Sequence, residues 1–160
     1  MNMNRVLTLL IFVFLVTSLV TAQSKKKSKK KLKEGFVEMK KTVCYGRCPV
    51  YTIRISTTGQ AIYEGEKNVK KEGKYTKQLP ASEVNALFEK FNQSNIYSLN
   101  DQYDDKRISD LPSTIITYSY NGKTKSILDR YNGPEELKTL EGLIEQIAES
   151  DGWQKTEDKK

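Results

Sequence analysis

Cys44 and Cys48 are the only cysteines in the chain, and they flank Tyr45-Gly46-Arg47 with Pro49 directly behind. Three chemistries are open to such a pair. A lone, closely spaced pair in an oxidising compartment forms a structural disulfide, which is the preferred reading. The ring is small, so the chain-entropy model assigns the bond about 2 kcal/mol. Its use is to clamp a bend, with Gly46 giving tight backbone and Pro49 opening the strand that follows. The second chemistry is thiol–disulfide exchange, with Arg47 lowering a thiol pKa. Thioredoxin-like motifs space their cysteines by two at a helix start, whereas here the spacing is three and a strand follows. The third is a free or metal-binding pair. Zinc would need carboxylates beside the two thiolates, and no such spacing is visible.

The chain contains no histidine. That removes Ser-His-Asp and Cys-His nucleophilic arrangements, imidazole proton transfer and the commonest zinc ligand. Asp101, Asp104, Asp105 and Asp110 form a carboxylate-rich stretch. It lacks the alternating ligands and central Gly of a calcium loop, so capping and turn roles are expected of it. Tyr45, Tyr51, Tyr63, Tyr75, Tyr118 and Tyr120 lie on or beside strands. An exposed set would make a binding face; the reading adopted is half-buried sheet positions, which suit Tyr. No catalytic residue, metal ligand or cofactor is assigned.

The elements that must position these residues follow from periodicity. Residues 36–43 form a first strand with Val37 and Met39 inward. Residues 50–56 alternate cleanly, with Tyr51, Ile53 and Ile55 on one face. Gly59 supplies a turn, residues 60–65 return, and residues 73–79 read as a further short strand. Val84, Leu87, Phe88 and Phe91 make one stripe of a helix over 80–92 that Pro80 opens. Residues 92–110 read as irregular, anchored by Ile96, Tyr97, Leu99 and Tyr103. Asn121-Gly122 between two β-like runs is a type I′ hairpin signal, with Ile116, Tyr118 and Tyr120 sharing a face before it. Asn132 or Gly133 caps a second helix, Pro134 lies in its first turn, and Leu137, Leu140, Leu143, Ile144, Ile147 and Ala148 form its buried stripe. Gly142 inside that helix is expected to mark close helix–sheet packing. Trp153 is placed to fold back on the core. The expected class is α+β: a two-layer domain with a mainly antiparallel sheet of about five or six strands and two amphipathic helices.

The termini read differently. Residues 1–22 have the form of a secretory signal peptide, with a basic start, an apolar core and small Val20 and Ala22 before the cleavage point. Residues 23–34 are a lysine-rich disordered linker, residues 35–153 a single domain, and residues 154–160 a disordered tail. The seven lysines Lys25, Lys26, Lys27, Lys29, Lys30, Lys31 and Lys33 raise the alternative of an inner-membrane anchor, because such a flank favours the cytoplasmic side. They also offer a tether to an anionic surface. With Arg5 they account for eight of the 27 basic residues, leaving 19 against 20 acidic ones. A near-neutral domain has no general nucleic-acid footprint, so no specific nucleic acid is expected.

Thr42-Val43-Cys44-Tyr45-Gly46-Arg47-Cys48-Pro49-Val50-Tyr51, then Gly59, Tyr63-Glu64-Gly65, Asp110-Leu111-Pro112-Ser113 and Asn121-Gly122-Lys123, resemble the bacterial exported proteins grouped as domain of unknown function 6438. The resemblance spans roughly residues 35 to 150 and rests on a Cys-aromatic-Gly-x-Cys-Pro-x-Tyr signature. It implies an exported bacterial domain and carries over no catalytic residue or ligand. The expected function is therefore a non-enzymatic envelope module that binds an envelope protein or polymer. The alternative is a redox protein using Cys44 and Cys48.

Overall fold

A computed structural model describes residues 33–156. The leader, nearly all of the lysine-rich linker and residues 157–160 lie outside the described residues. Among the described residues, eight strands and two α-helices occur in the order β1 (Gly35–Lys41), β2 (Val50–Ser56), β3 (Gln60–Lys67), β4 (Gly73–Gln78), α1 (Ala81–Gln93), β5 (Gln102–Tyr103), β6 (Thr114–Tyr120), β7 (Lys123–Asp129), α2 (Glu135–Glu149) and β8 (Gln154–Lys155). One sheet holds all the strands, in the order β5-β7-β6-β1-β2-β3-β4-β8. Every pairing is antiparallel except the short β5–β7 contact. The α+β class matches the sequence reading, but the sheet has eight strands where five or six were expected.

The two extra strands explain the difference. β5 and β8 are two residues each, too short to show a period of two. β5 lies in the stretch read as irregular, and β8 lies in the stretch read as a disordered tail, so the ordered chain runs past Trp153. Both sit at the sheet edges, where two-residue strands leave little unpaired ladder for edge-to-edge association.

Register places the apolar alternation of every long strand on one face. Val37 and Met39 lie opposite Ile55 and Ile53 on one side and Tyr118 and Ile116 on the other. Ile53 lies opposite Tyr63, and Ile116 opposite Ile127. The helices cover this face. Val84, Leu87, Phe88 and Phe91 of α1 and Leu137, Leu140, Ile144, Ile147 and Ala148 of α2 complete the core. Phe88 and Phe91 lean on Tyr118, with ring centroids 6.1 and 4.9 Å apart. The opposite face is open and polar. There Arg54 stacks on Phe36 at 3.4 Å and pairs with Glu38 at 3.1 Å, and the Thr117–Ser126 and Ser119–Thr124 hydroxyl pairs cross β6 and β7.

Local signals behave as elementary stereochemistry requires, apart from a shift of both helix caps and two glycine exceptions. Asn121 and Gly122 both take positive φ, 56° and 76°, as a type I′ turn demands. Pro80 and Pro134 occupy the N-cap positions rather than the first helical turn, and neither helix has a side-chain cap. The first exception is Gly142: a Cβ there would meet nothing within 4 Å, so close helix–sheet packing does not account for it. The second is Gly46, which is not among the positive-φ glycines and whose added Cβ would meet only Cys44 Sγ at 3.8 Å. The bend between Cys44 and Cys48 therefore does not depend on a glycine.

Candidate functional site

β1 and β2 pair in antiparallel register, with Lys41 opposite Tyr51. The chain between them, residues 42–49, must therefore reverse direction at one end of the sheet. Cys44 and Cys48 close this loop by a disulfide with Cα atoms 5.8 Å apart. Three hydrogen bonds hold the loop to its surroundings. Thr42 N–H donates to the Ser113 carbonyl at 3.0 Å, Ser113 N–H donates to Thr42 Oγ1 at 2.8 Å, and Asn68 Nδ2 donates to the Cys48 carbonyl at 3.1 Å. The first two join it to the segment before β6, the third to the β3–β4 connection.

The clamped loop turns its large side chains outward. Tyr45 is 90 % exposed and Val43 65 % exposed, and Arg47 is also exposed. Tyr45 thus departs from the half-buried role expected of the strand tyrosines. Of the other five, Tyr75 and Tyr120 are half-buried against the core as expected, whereas Tyr51, Tyr63 and Tyr118 are buried outright. Cys44 and Cys48 are half-buried residues, and the Gly46 N–H points at Cys44 Sγ at 3.2 Å.

Beside the loop lies a cleft of about 250 Å³. Pro49 of the loop, Lys41, the β3–β4 connection and the C-terminal end of α2 bound it. Tyr51 and Tyr63 line it and stack on each other with ring centroids 5.2 Å apart. Behind them Trp153 packs at 5.6 Å from Tyr63 and donates its indole N–H to the Ile147 carbonyl, the fold-back expected of it. Burial raises the Tyr51 phenol, and Tyr63 and Glu149 raise it further. Burial, Tyr75 and Glu149 push the Tyr63 phenol up to about 12. Both hydroxyls are therefore neutral donors at physiological pH. The Lys41 ammonium is ion-paired with Glu145 at the cleft wall. Its burial lowers it, Glu141 opposes that, and Lys138 adds to it.

A second polar cluster lies under α2, and the sequence reading did not single it out. Asp129 at the end of β7 and Glu141 on α2 are 3 % and 7 % exposed. Lys138 Nζ reaches Asp129 Oδ2 at 2.6 Å and Glu141 Oε2 at 3.3 Å. Asp129 Oδ1 and Glu141 Oε1 have no hydrogen-bond partner among the described residues. Burial pushes Glu141 up to about 7; Lys138 pulls it back and Asp129 adds to the rise. For Lys138, burial lowers the ammonium, but Asp129 and Glu141 outweigh it and leave it raised. The signal was available in the sequence: Glu141 shares the i, i+3, i+4, i+7 stripe of Leu137, Leu140 and Ile144, so burial of its position was forced.

The carboxylate stretch at 101–110 disperses. Asp101 pairs with Lys125, Asp104 with Arg130 Nε at 3.1 Å, and Asp105 with Arg107 at 2.6 Å. Asp110 takes a positive φ of 66° and accepts from Ser109 Oγ at 2.9 Å. Among the described residues no three His, Cys, Asp or Glu side chains gather where a metal ion could sit.

The family model described as "Domain of unknown function (DUF6438)" matches residues 35–148, from the first residue of β1 into the last turn of α2. The chain belongs to this family. The match takes in the disulfide loop, the cleft tyrosines and the Asp129–Glu141 cluster. No curated protein matches the chain. Among the described residues no helix is long and apolar enough to cross a membrane, and a disulfide fits an oxidising compartment.

Proposed function

We propose that this protein is an exported, non-enzymatic binding module of the bacterial cell envelope, and that it meets its partner through the clamped β1–β2 loop and the cleft beside it. The observation that carries the reading is Tyr45, 90 % exposed on a loop fixed by a disulfide and by hydrogen bonds at its base. A large aromatic held out into water does nothing for the core. Tyr and Arg are the residue types that dominate binding energy at interfaces. A loop ordered beforehand loses little entropy when a partner docks. The leader at residues 1–22 supports export, and the lysines ahead of the domain would add an anionic-surface tether.

Capture from envelope extract tests the binding part, with the exported protein, Tyr45→Ala and Arg47→Ala compared side by side. Loss of the same captured component in both variants is expected; an unchanged set of components would refute the reading. N-terminal sequencing tests export: a chain beginning at Gln23 is expected, and an intact Met1 would overturn it.

One observation favours a thiol–disulfide redox role instead. The Gly46 N–H directed at Cys44 Sγ, with Arg47 next in sequence, would stabilise a thiolate at Cys44. The reduction potential separates the two readings. A structural bond lies below about −300 mV and an exchanging one above it.

A further inference from the structure

The cleft is chemically two-sided. Tyr51 and Tyr63 are 7 % and 4 % exposed, yet among the described residues neither hydroxyl has a hydrogen-bond partner, and both residues line the cavity. Neither hydroxyl is sealed from solvent, so both are open to a molecule bound in the cleft. One wall is the C-terminal end of α2, where the last carbonyls carry partial negative charge. No basic side chain in the last turn offsets it, and Glu149 adds a carboxylate without an ion pair among the described residues. Glu145 on the same wall is already satisfied by Lys41. The β3–β4 connection also lines the cleft, with Lys70 and Lys71 free of ion pairs among the described residues. Lys71 Nζ lies 5.3 Å from the Tyr63 ring centre. Asn68, in left-handed backbone with φ 56°, ties this wall to the disulfide loop through the Cys48 carbonyl.

A simple anion would meet the acidic wall, and a simple cation the lysines. A molecule that carries both charges meets both the carboxylate and the lysines of the lining. The volume of about 250 Å³ equals that of roughly eight waters, the size range of a dipeptide.

We infer that the cleft is a receptor for a zwitterionic ligand of the amino-acid or short-peptide class, with its ammonium towards Glu149 and the end of α2 and its carboxylate towards Lys70 and Lys71. This rests on the proposed binding role and gives it a ligand class. Lys71 moves off the Tyr63 ring to meet the carboxylate. The phenol hydroxyls, held neutral, donate to ligand oxygens. A polymer of the envelope that carries short peptides would then be engaged by peptide ends here, while the clamped loop covers its flank.

Backbone amide shifts of the labelled full-length chain provide the test, with dialanine, its N-acetyl form and its C-terminal amide as the probes. Dialanine is expected to shift Tyr51, Tyr63, Asn68 and Glu149 saturably. Blocking either end should weaken binding by about tenfold, as loss of one charge-assisted contact does. Glu149→Gln should abolish the discrimination between free and acetylated dialanine alone. Joint Lys70→Gln and Lys71→Gln should abolish that between free and amidated dialanine alone. All three side chains sit at the cleft wall, outside the buried core, so the amide spectrum confirms that each variant is folded. No saturable shift at about 10 mM, well beyond a millimolar dissociation constant, would overturn the inference. Equal binding of free and blocked peptides would also overturn it. Either failure leaves envelope capture through Tyr45 as a separate result, so the ligand class and the binding role fail distinguishably.

Discussion

Replacing Glu141 with Gln should remove a pH-dependent instability from the centre of the fold. Glu141 lies on the core stripe of α2 beside Asp129, with Lys138 as the nearest cation and one carboxylate oxygen without a partner. Its carboxyl is pushed from its ordinary 4.5 up to about 7. Below the ordinary value the proton is bound in both the folded and unfolded chains, and the group contributes no penalty. As pH rises from there through the folded value, the unfolded chain ionises freely while the folded chain must give up the proton inside the core. Stability is therefore lost between pH 4.5 and about 7 and stays lost above. At 1.36 kcal/mol per pKa unit the loss is about 3 kcal/mol, a large share of the stability of a domain this size. Gln keeps the shape, supplies a neutral donor for Asp129 and does not titrate. Urea unfolding of both proteins at pH 5 and pH 8 isolates the effect, because Asp129, Lys138, Lys41 and Glu145 are common to both. The variant should gain about 2.5 kcal/mol on the parent between the two pH values, because part of the loss is already present at pH 5, with equal denaturant slopes. A difference independent of pH, or one that shifts in favour of Glu at pH 8, would refute the reasoning.

Four further outcomes are expected. Gly142→Ala should stabilise by about 1 kcal/mol in thermal or urea unfolding, since the new methyl meets nothing within 4 Å and Gly is a poor helix former. Gly59→Ala should destabilise by about 1 kcal/mol or more, because Gly59 has φ 88° and an added Cβ would lie 2.7 Å from the Leu79 carbonyl oxygen. Joint Cys44→Ser and Cys48→Ser should cost about 2 kcal/mol of unfolding free energy while leaving the far-UV circular dichroism spectrum unchanged. Deleting residues 24–33 should reduce retention on anionic lipid vesicles at low salt; unchanged retention counts against the tether.

The sequence by itself determined the local half of this protein. Alternation in residues 50–56 assigned the inward faces, because neighbouring side chains in a strand point to opposite sides whatever the strand pairs with. The stripe of Val84, Leu87, Phe88 and Phe91 did the same for α1. Asn121-Gly122 and Gly59 marked turns because their backbone angles are residue properties. The nearness of Cys44 and Cys48 along the chain made their disulfide legible, since it closes within one loop.

Only the tertiary structure decided what depends on distant segments meeting. β1 joins β2 on one side and β6, some seventy residues later, on the other, and nothing local in either strand names its partner. β5 and β8 are strands solely because a neighbour supplies the ladder. Gly142 reads as a packing device in the sequence, yet the space beside it is open. Glu141 became an acid with a raised pKa when packing of α2 on the sheet buried it, with Asp129 of β7 adding to the rise. The cleft likewise exists because the β1–β2 loop, the β3–β4 connection and the end of α2 converge there. Periodicity reports which side of an element is buried; the partners, and hence the charges that meet, are set by long-range closure of the sheet.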